Sequence, residues 1–221
     1  MAKRPEPDGL GNLLAARPHQ AWNLWAFIAD MAMFNVAMSF VSSTTVLPSF
    51  IGMLTDSTLM VGLASGLTSG AWLLPQIFVA SLIARVPRKK PLMVRAAWAS
   101  RPSMVLLALV TLLFARTLPT LVLIATLFII TVFFVLDAMV SIPWFDIMAR
   151  AFPHRIRGRI IGIAQIVGGL GGVGAGILVR RILSEDSPLG FPANYALLFG
   201  LSGIVFLMGA ARGTYVKSKS N

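Results

Sequence analysis

Arg85-Val86-Pro87-Arg88-Lys89-Lys90 places four cations within six residues, between two long apolar segments. No charged side chain occurs from Leu59 to Ala84, or from Pro102 to Ala115. Moving one Lys or Arg to the centre of a bilayer costs about 2.5 to 3.5 kcal/mol on insertion scales. The stretch therefore predicts a tight turn on the cytoplasmic face of a membrane protein, and it sets the orientation of the segments on both sides.

The composition also indicates a membrane protein. Of the 221 residues, 57% are hydrophobic and 12% charged, and the mean hydropathy is +0.80. Soluble domains carry roughly 25% charged residues. A net charge of +11 indicates nucleic acid binding in a soluble protein, but here the cations lie beside apolar spans, as the positive-inside rule describes. The predicted partner is therefore the lipid bilayer, and no nucleic acid is expected.

Six apolar segments are long enough to cross a bilayer. They are residues 22–47, 59–84, 92–115, 120–148, 160–179 and 193–211. The predicted fold class is all-α, a polytopic membrane protein whose six transmembrane helices occupy residues 22–211. Residues 1–21 and 212–221 are predicted as cytoplasmic tails, residues 48–58 and 180–192 as outer loops, and residues 150–159 as a second basic inner turn.

Sequence motifs occur at both basic turns. Around the first turn, Leu82, Arg85, Arg88 and Lys89 match the pattern G-x-L-x-D-R-x-G-R-K, whereas Ala84 replaces its aspartate and Pro87 its second glycine. The second turn contains Asp146 in Asp146-Ile-Met-Ala-Arg-Ala-Phe-Pro153, followed by Arg157-Gly158-Arg159. These motifs resemble the cytoplasmic loop signatures of the major facilitator superfamily. Three further segments resemble a bacterial subgroup of that superfamily: Val46-Leu47-Pro48, Gly70-Ala-Trp72-Leu-Leu-Pro75-Gln76 and Phe191-Pro-Ala-Asn194-Tyr195.

The resemblance covers residues 22–211 and implies the N-terminal six-span half of a twelve-span fold, itself a 3+3 inverted repeat. It implies secondary transport of a small solute by alternating access in the cell inner membrane, with spans one, two, four and five lining the path. The implied partner is a second six-span half, or a second copy of the chain. Two alternatives are a non-transporting membrane scaffold or assembly subunit, and a truncated remnant of a transporter.

Polar residues inside the spans are the candidates for the substrate or ion pathway. Asp30, Arg101 and Asp137 are ionisable, and each lies roughly 10 to 15 Å from the inner end of its helix at 1.5 Å per residue. Arg101 is therefore expected to pair with Asp30 or Asp137, either as a structural lock or as a substrate or proton site. Asn35 and Gln76 either join helices or line a cavity. Trp72, Trp98 and Trp144 are predicted to be packing or interface anchors.

Two motifs resemble enzyme or nucleotide sites but have simpler explanations. The glycines from Gly168 to Gly176 lack the Lys-Ser/Thr of a phosphate loop, and Gly168, Gly172 and Gly176 share one helix face suited to close packing. Gly200-Leu201-Ser202-Gly203 resembles an intramembrane serine protease motif, yet no histidine follows it to act as a base. With no cysteine and only two histidines, the sequence predicts no metal site, no cofactor and no enzyme activity.

Overall fold

The computed structural model describes residues 18–84 and 89–213. They form α1 Pro18–Phe40, α2 Val46–Gly52, α3 Thr58–Ala84, α4 Lys89–Ser100, α5 Pro102–Phe114, α6 Pro119–Ala151, α7 His154–Leu183 and α8 Ala193–Gly213. The loop-signature residues Arg85 and Arg88 lie outside the described residues, as do residues 1–17, residues 214–221 and the side chains of Leu82 and Lys89.

Within the described residues, six helical spans are long and apolar enough to cross a membrane. They are α1, α3, the pair α4 and α5 taken together, α6, α7 and α8, whereas α2 is a short helix between the first two spans. The predicted class, an all-α polytopic membrane protein with six spans, is confirmed. We call the end of the bundle that carries Arg150, Arg155, Arg157 and Arg159 the basic end.

The spans pack as two inverted groups of three. The first span of each group lies against the second span of the other, since α1 packs on α7 and α6 packs on α3. The first spans also contact the third spans of the other group, α1 against α8 and α6 against α4, and the third spans meet where α5 packs on α8. Because α1 starts at the basic end and α6 ends there, this symmetry corresponds to a 3+3 inverted repeat.

Apolar side chains fill the bundle and also cover its outside. Leu47, Phe50, Phe133 and Phe199 are completely buried at the helix contacts. Exposed apolar side chains surround the bundle; Phe78, Phe128 and Leu170, for example, are 68–75% exposed. Such a surface is unfavourable in water and favourable in hydrocarbon, so it fits a bilayer environment.

The first span ends earlier than predicted. Helix α1 stops at Phe40, the Ser42 hydroxyl bonds that of Thr44 at 3.1 Å, and a new helix begins at Val46. Pro48 is the third residue of α2, where the helix needs no backbone N–H donor. The predicted outer loop was therefore wrong for residues 48–52, which belong to α2. Leu47 and Phe50 instead carry α2 into the core.

The third span consists of two helical segments that follow each other directly, and together they form the predicted membrane span, which covers Pro91–Phe114. Helix α4 ends at Ser100 and α5 starts at Pro102, so Arg101 lies at the junction. Pro102 has no backbone N–H to give to the carbonyl of Trp98, and proline fits the first position of a helix. The missing hydrogen bond therefore follows from Pro102, and Arg101 lies at the junction with helical backbone dihedrals, φ -63° and ψ -38°.

The second basic turn is shorter than predicted. Only Phe152 and Pro153 separate α6 from α7, so the predicted loop over residues 150–159 was wrong. Arg155, Arg157 and Arg159 lie on the first turns of α7 instead. Helices that extend past the hydrocarbon into the headgroup region keep such charges solvated, which explains the difference.

Two small-residue motifs serve contacts within the bundle. Gly168 packs against Asn35 and Ala32 of α1, and Gly172 packs against Ser39, whereas Gly176 of the same predicted face has no described neighbour within 4 Å of an added Cβ. Ser202 of the protease-like motif is fully buried, and its hydroxyl donates to the Ala37 carbonyl at 2.9 Å. By contrast, the α3 glycines face open space. A methyl group added at Gly62, Gly66 or Gly70 would meet no neighbouring atom of the described residues within 4 Å.

Candidate functional site

A buried ion pair connects the junction of α4 and α5 to α6. Arg101 Nη1 donates to Asp137 Oδ1 at 2.8 Å, and the two side chains are only 9% and 6% exposed. The sequence left Asp30 and Asp137 as alternative partners of Arg101, and the structure selects Asp137. A charged pair this short and this buried is held by both Coulomb attraction and a directional hydrogen bond.

Three aromatic rings surround the guanidinium of Arg101. Its Cζ lies 5.4 Å from the ring centre of Phe34, 5.6 Å from that of Phe133 and 4.9 Å from that of Phe206. Cations are attracted to the faces of aromatic rings, and the attraction grows when water is excluded. Arg101 is therefore balanced by Asp137 and stabilised by α1, α6 and α8 at once.

Asp30 has a different environment from Asp137. Its Oδ2 accepts a hydrogen bond from Trp144 Nε1 at 2.8 Å, and it forms no ion pair with any described residue. The Trp144 ring is fixed edge-on against Phe27, with centroids 5.1 Å apart. Asp30 is thus a carboxyl with a neutral donor, next to a carboxyl that already has its cation.

A cavity of about 560 Å³ opens beside these residues, between α1, α3 and α6. Arg101, Asp30 and Asp137 form its ionisable part. Its aromatic lining consists of Phe34, Trp72, Phe134, Trp144 and Phe145, and its remaining lining includes Asn35, Met31, Met38, Ser43, Thr68, Ser69 and Ser141. Spans one, two and four therefore line a polar and aromatic cavity that reaches the surface of the bundle at exposed residues such as Ser69 and Leu73.

The two amide candidates are placed differently. Asn35 lines the cavity, and its Nδ2 donates to Gln165 Oε1 of α7 at 2.9 Å, so it joins the fifth span to the cavity wall. Gln76 does not line the cavity, and its Nε2 is buried without a hydrogen-bond partner among the described residues. Of the five pathway candidates, the structure brings together Asp30, Asn35, Arg101 and Asp137, and leaves Gln76 apart.

Two tryptophans at the site were predicted only as anchors. Trp144 donates to Asp30, and Trp72 lines the cavity. For Trp144, the sequence contained a signal of its place at the site, namely its spacing from Asp137. They are seven residues apart, which is close to two helical turns, so both project from the same face of α6.

The loop-signature residues of the second turn stabilise the basic end. Arg157 donates from Nε to the Phe152 carbonyl at 2.9 Å and from Nη2 to the Ala149 carbonyl, so it caps the C-terminal turn of α6. Asp146 pairs with Arg150 at 2.9 Å across one helical turn. A methyl group added at Gly158 would meet no neighbouring atom of the described residues within 4 Å. Arg159 is exposed.

Six apolar spans, with a cavity of buried ionisable groups lined mainly by the first, second and fourth, define a polytopic membrane protein. The family model described as Major Facilitator Superfamily matches residues 3–176, so the chain belongs to that superfamily of membrane transport proteins. No curated protein and no solved structure matches the chain.

Proposed function

We propose that this six-helix bundle forms one wall of a path through which a small solute crosses the membrane by alternating access. The observation that carries the proposal is the cavity between α1, α3 and α6, because it places Asp30, Arg101 and Asp137 within an otherwise apolar bundle. Ionisable groups inside a membrane are costly unless a function or a partner requires them. The superfamily membership supports the same role.

The cavity side of the bundle needs a cover. Ser69 is exposed on this side. The hydrogen bond between Asn35 of α1 and Gln165 of α7 extends the polar surface to α7. Polar groups facing lipid have no water to bond with, so this face is expected to meet another protein surface. We propose a second six-helix bundle, related by a two-fold axis along the membrane normal, which is either a further half of the transporter or a second copy of the chain.

The proposed orientation places the basic end in the cytoplasm. Arg150, Arg155 and Arg159 are exposed at that end, whereas Asp56, Glu185 and Asp186 lie at the opposite end. The positive-inside rule then puts both termini in the cytoplasm. The proposed location is the inner membrane of a bacterial-type cell.

Single-cysteine accessibility in native membranes tests the transport proposal, since the chain has no cysteine of its own. Ser69→Cys lies in the cavity, and Leu74→Cys, 64% exposed on the same helix but outside the cavity lining, is the matched control. A membrane-impermeant thiol reagent is expected to label position 69 from either face of the membrane and position 74 from neither. Labelling of position 69 from one face only would instead support the non-transporting scaffold.

Crosslinking tests the proposed cover. Cysteines at Asn35 and Ser69 are expected to crosslink to a second bundle, giving either a homodimer or an adduct with another membrane protein. A monomer by mass in lipid nanodiscs, with both positions open to quenchers dissolved in the lipid phase, would contradict it.

A further inference from the structure

We propose that a second, smaller cavity between α1, α4, α6 and α8 binds a water molecule, and that this water connects the carboxylate of Asp30 to the guanidinium of Arg101. Arg101 then compensates two carboxylates, Asp137 by direct contact and Asp30 through the water. The inference concerns contacts within one bundle, so it does not depend on the proposed transport function. It rests on the size of the small cavity, on the hydrogen-bonding groups that line it, and on the small side chains that keep it open.

The small cavity is large enough for water, and its lining is partly polar. Its volume is about 40 Å³, whereas roughly 10–15 Å³ is sufficient for one water molecule. Asp30, Arg101 and Trp144 form its polar lining, and the rest of its lining is apolar and includes Met93 and Ala97. Purely apolar cavities stay dry, but a water with several polar partners is stable inside a protein. The small cavity therefore meets both requirements for a bound water.

Arg101 has hydrogen-bond donors in excess of its protein acceptors. Its side chain carries several N–H groups in one plane. Within the described part of the chain, the hydrogen bond that this side chain donates is the one from Nη1 to Asp137 Oδ1, at 2.8 Å. The rings of Phe34, Phe133 and Phe206 attract the cation, but a ring face does not supply an oxygen acceptor for the remaining N–H groups. Because Arg101 lines the small cavity, a water there supplies that acceptor.

Asp30 has the complementary need for a donor. Its Oδ2 accepts from Trp144 Nε1 at 2.8 Å, and its Oδ1 lies on the side of α8, 3.6 Å from the place of a Cβ added at Gly209. Arg101 attracts Asp30 electrostatically, although the two side chains form no direct ion pair. A water between them accepts from an N–H of Arg101 and donates to the Asp30 carboxylate, so it satisfies both groups at a distance that direct contact does not cover.

Small side chains on α4 and α8 keep the cavity open. Ala97 and Ala210 line it, and they are only 9% and 8% exposed. A larger side chain at either position projects into the space that the water occupies. Ala210→Val is therefore expected to displace the water without removing a polar group. Ala196→Val is the matched control, because Ala196 lies on the same helix, is 7% exposed and does not line the cavity.

Radiolytic footprinting of the full chain in lipid nanodiscs tests the proposal. X-rays convert a bound water into hydroxyl radicals, which oxidise the side chain beside it, while a membrane-impermeant scavenger removes radicals from the bulk solvent. The reporter is Met93, which lines the small cavity, and the reference is Met104, which is buried and lines neither of the two cavities. Met93 is expected to be oxidised severalfold faster than Met104, as measured by mass spectrometry.

Variants show whether Asp30 holds the water. Ala210→Val is expected to lower the oxidation rate of Met93 to that of Met104, and Ala196→Val is expected to leave it unchanged. Asp30→Leu replaces the carboxylate by an apolar side chain, and it is expected to lower the oxidation of Met93 as well. Asp30→Asn retains an oxygen acceptor, so it is expected to retain most of the oxidation.

Equal oxidation of Met93 and Met104 in the unmodified chain would overturn the water site, and this comparison requires no variant to fold. Unchanged oxidation of Met93 in Ala210→Val would show that the radicals do not arise in the small cavity, and would overturn it too. Unchanged oxidation in Asp30→Leu would show a hydrated cavity whose water is not held by the carboxylate, which would overturn the proposed link between Asp30 and Arg101.

Discussion

Arg101 and Asp137 lie 2.8 Å apart and join the two inverted groups of three helices, since Arg101 belongs to the third span and Asp137 to the fourth. The pair is buried, and the guanidinium of Arg101 also lies near the rings of Phe133 on α6 and Phe206 on α8. The charge that the sequence places within the third span is therefore both a joint between the repeats and one wall of the cavity.

Removing one member of this pair is expected to be more damaging than removing both. Arg101→Leu leaves the buried carboxyl of Asp137 without its cation, which typically costs about 3–5 kcal/mol of unfolding free energy. In the double variant Arg101→Leu, Asp137→Leu, both charges are gone, so much of that loss is recovered. Unfolding in detergent, followed by circular dichroism, measures both.

The exposed pair Asp146–Arg150 supplies the control. Arg150 is 73% exposed at its side chain, so Arg150→Leu is expected to cost less than about 1 kcal/mol. If the Arg101 and Asp137 double variant is no more stable than Arg101→Leu, the two side chains are not coupled in the folded protein.

Gly168 fixes the distance between α1 and α7. A Cβ at this position would lie 2.7 Å from Asn35 Nδ2 and 3.2 Å from the backbone Cα of Ala32. Gly168→Ala is therefore expected to push the helices apart and to lower the unfolding free energy by about 1–3 kcal/mol. Gly169→Ala, where nothing lies within 4 Å, is the matched control, and it is expected to be neutral or to stabilise the helix by about 0.5–1 kcal/mol. Equal effects of the two substitutions would show that α1 and α7 are not in close contact.

Trp144 is expected to act through its N–H group. Trp144→Phe keeps an aromatic ring against Phe27 but removes the donor to Asp30, and a buried polar group left without a partner costs about 1–3 kcal/mol. Trp98→Phe changes a tryptophan that is 46% exposed, and little effect is expected. Thermal unfolding in detergent compares the two. The assignment of the hydrogen bond fails if both variants unfold at the same temperature as the unmodified protein.

The number and polarity of the spans were predictable from the sequence, whereas their ends were not. Apolar length alone locates six membrane helices, because a bilayer requires about 20 residues per span. Helix ends depend on local chemistry that polarity does not report. Pro48 was interpreted as a terminator although it fits the first turn of α2, and the arginines after Pro153 were interpreted as a loop although they begin α7.

The site was only partly predictable for a related reason. Asp30, Arg101 and Asp137 are visible as charges in apolar spans, and their similar depth made both carboxyls eligible partners for Arg101. Which one pairs depends on the packing of α4 against α6, and this packing cannot be read from helical periodicity. Trp72 was predicted to be an anchor because tryptophan favours membrane interfaces, whereas it lines the cavity.

Topology reporters test the proposed orientation. Fusions after Thr55 and after Ser187 are expected to report the outer face, and fusions after Lys89 and after Pro153 the cytoplasm, because positive charges resist translocation. A reversed signal at either of the two inner positions would reject the orientation.

The most direct test of alternating access asks whether opening one mouth of the cavity closes the other. Ser43 lines the cavity between α1 and α2, and Ser141 lines it on the half of α6 nearer the basic end. In the variant Ser43→Cys, Ser141→Cys, a bulky impermeant maleimide is attached at position 43 from outside, and the labelling rate of position 141 from the cytoplasm is then measured. Ser141→Cys alone, treated identically, is the reference. The outer adduct is expected to hold the outward-facing state and to slow labelling at position 141 by about tenfold or more. An unchanged rate would show a cavity that does not alternate, and would contradict the proposed transport mechanism.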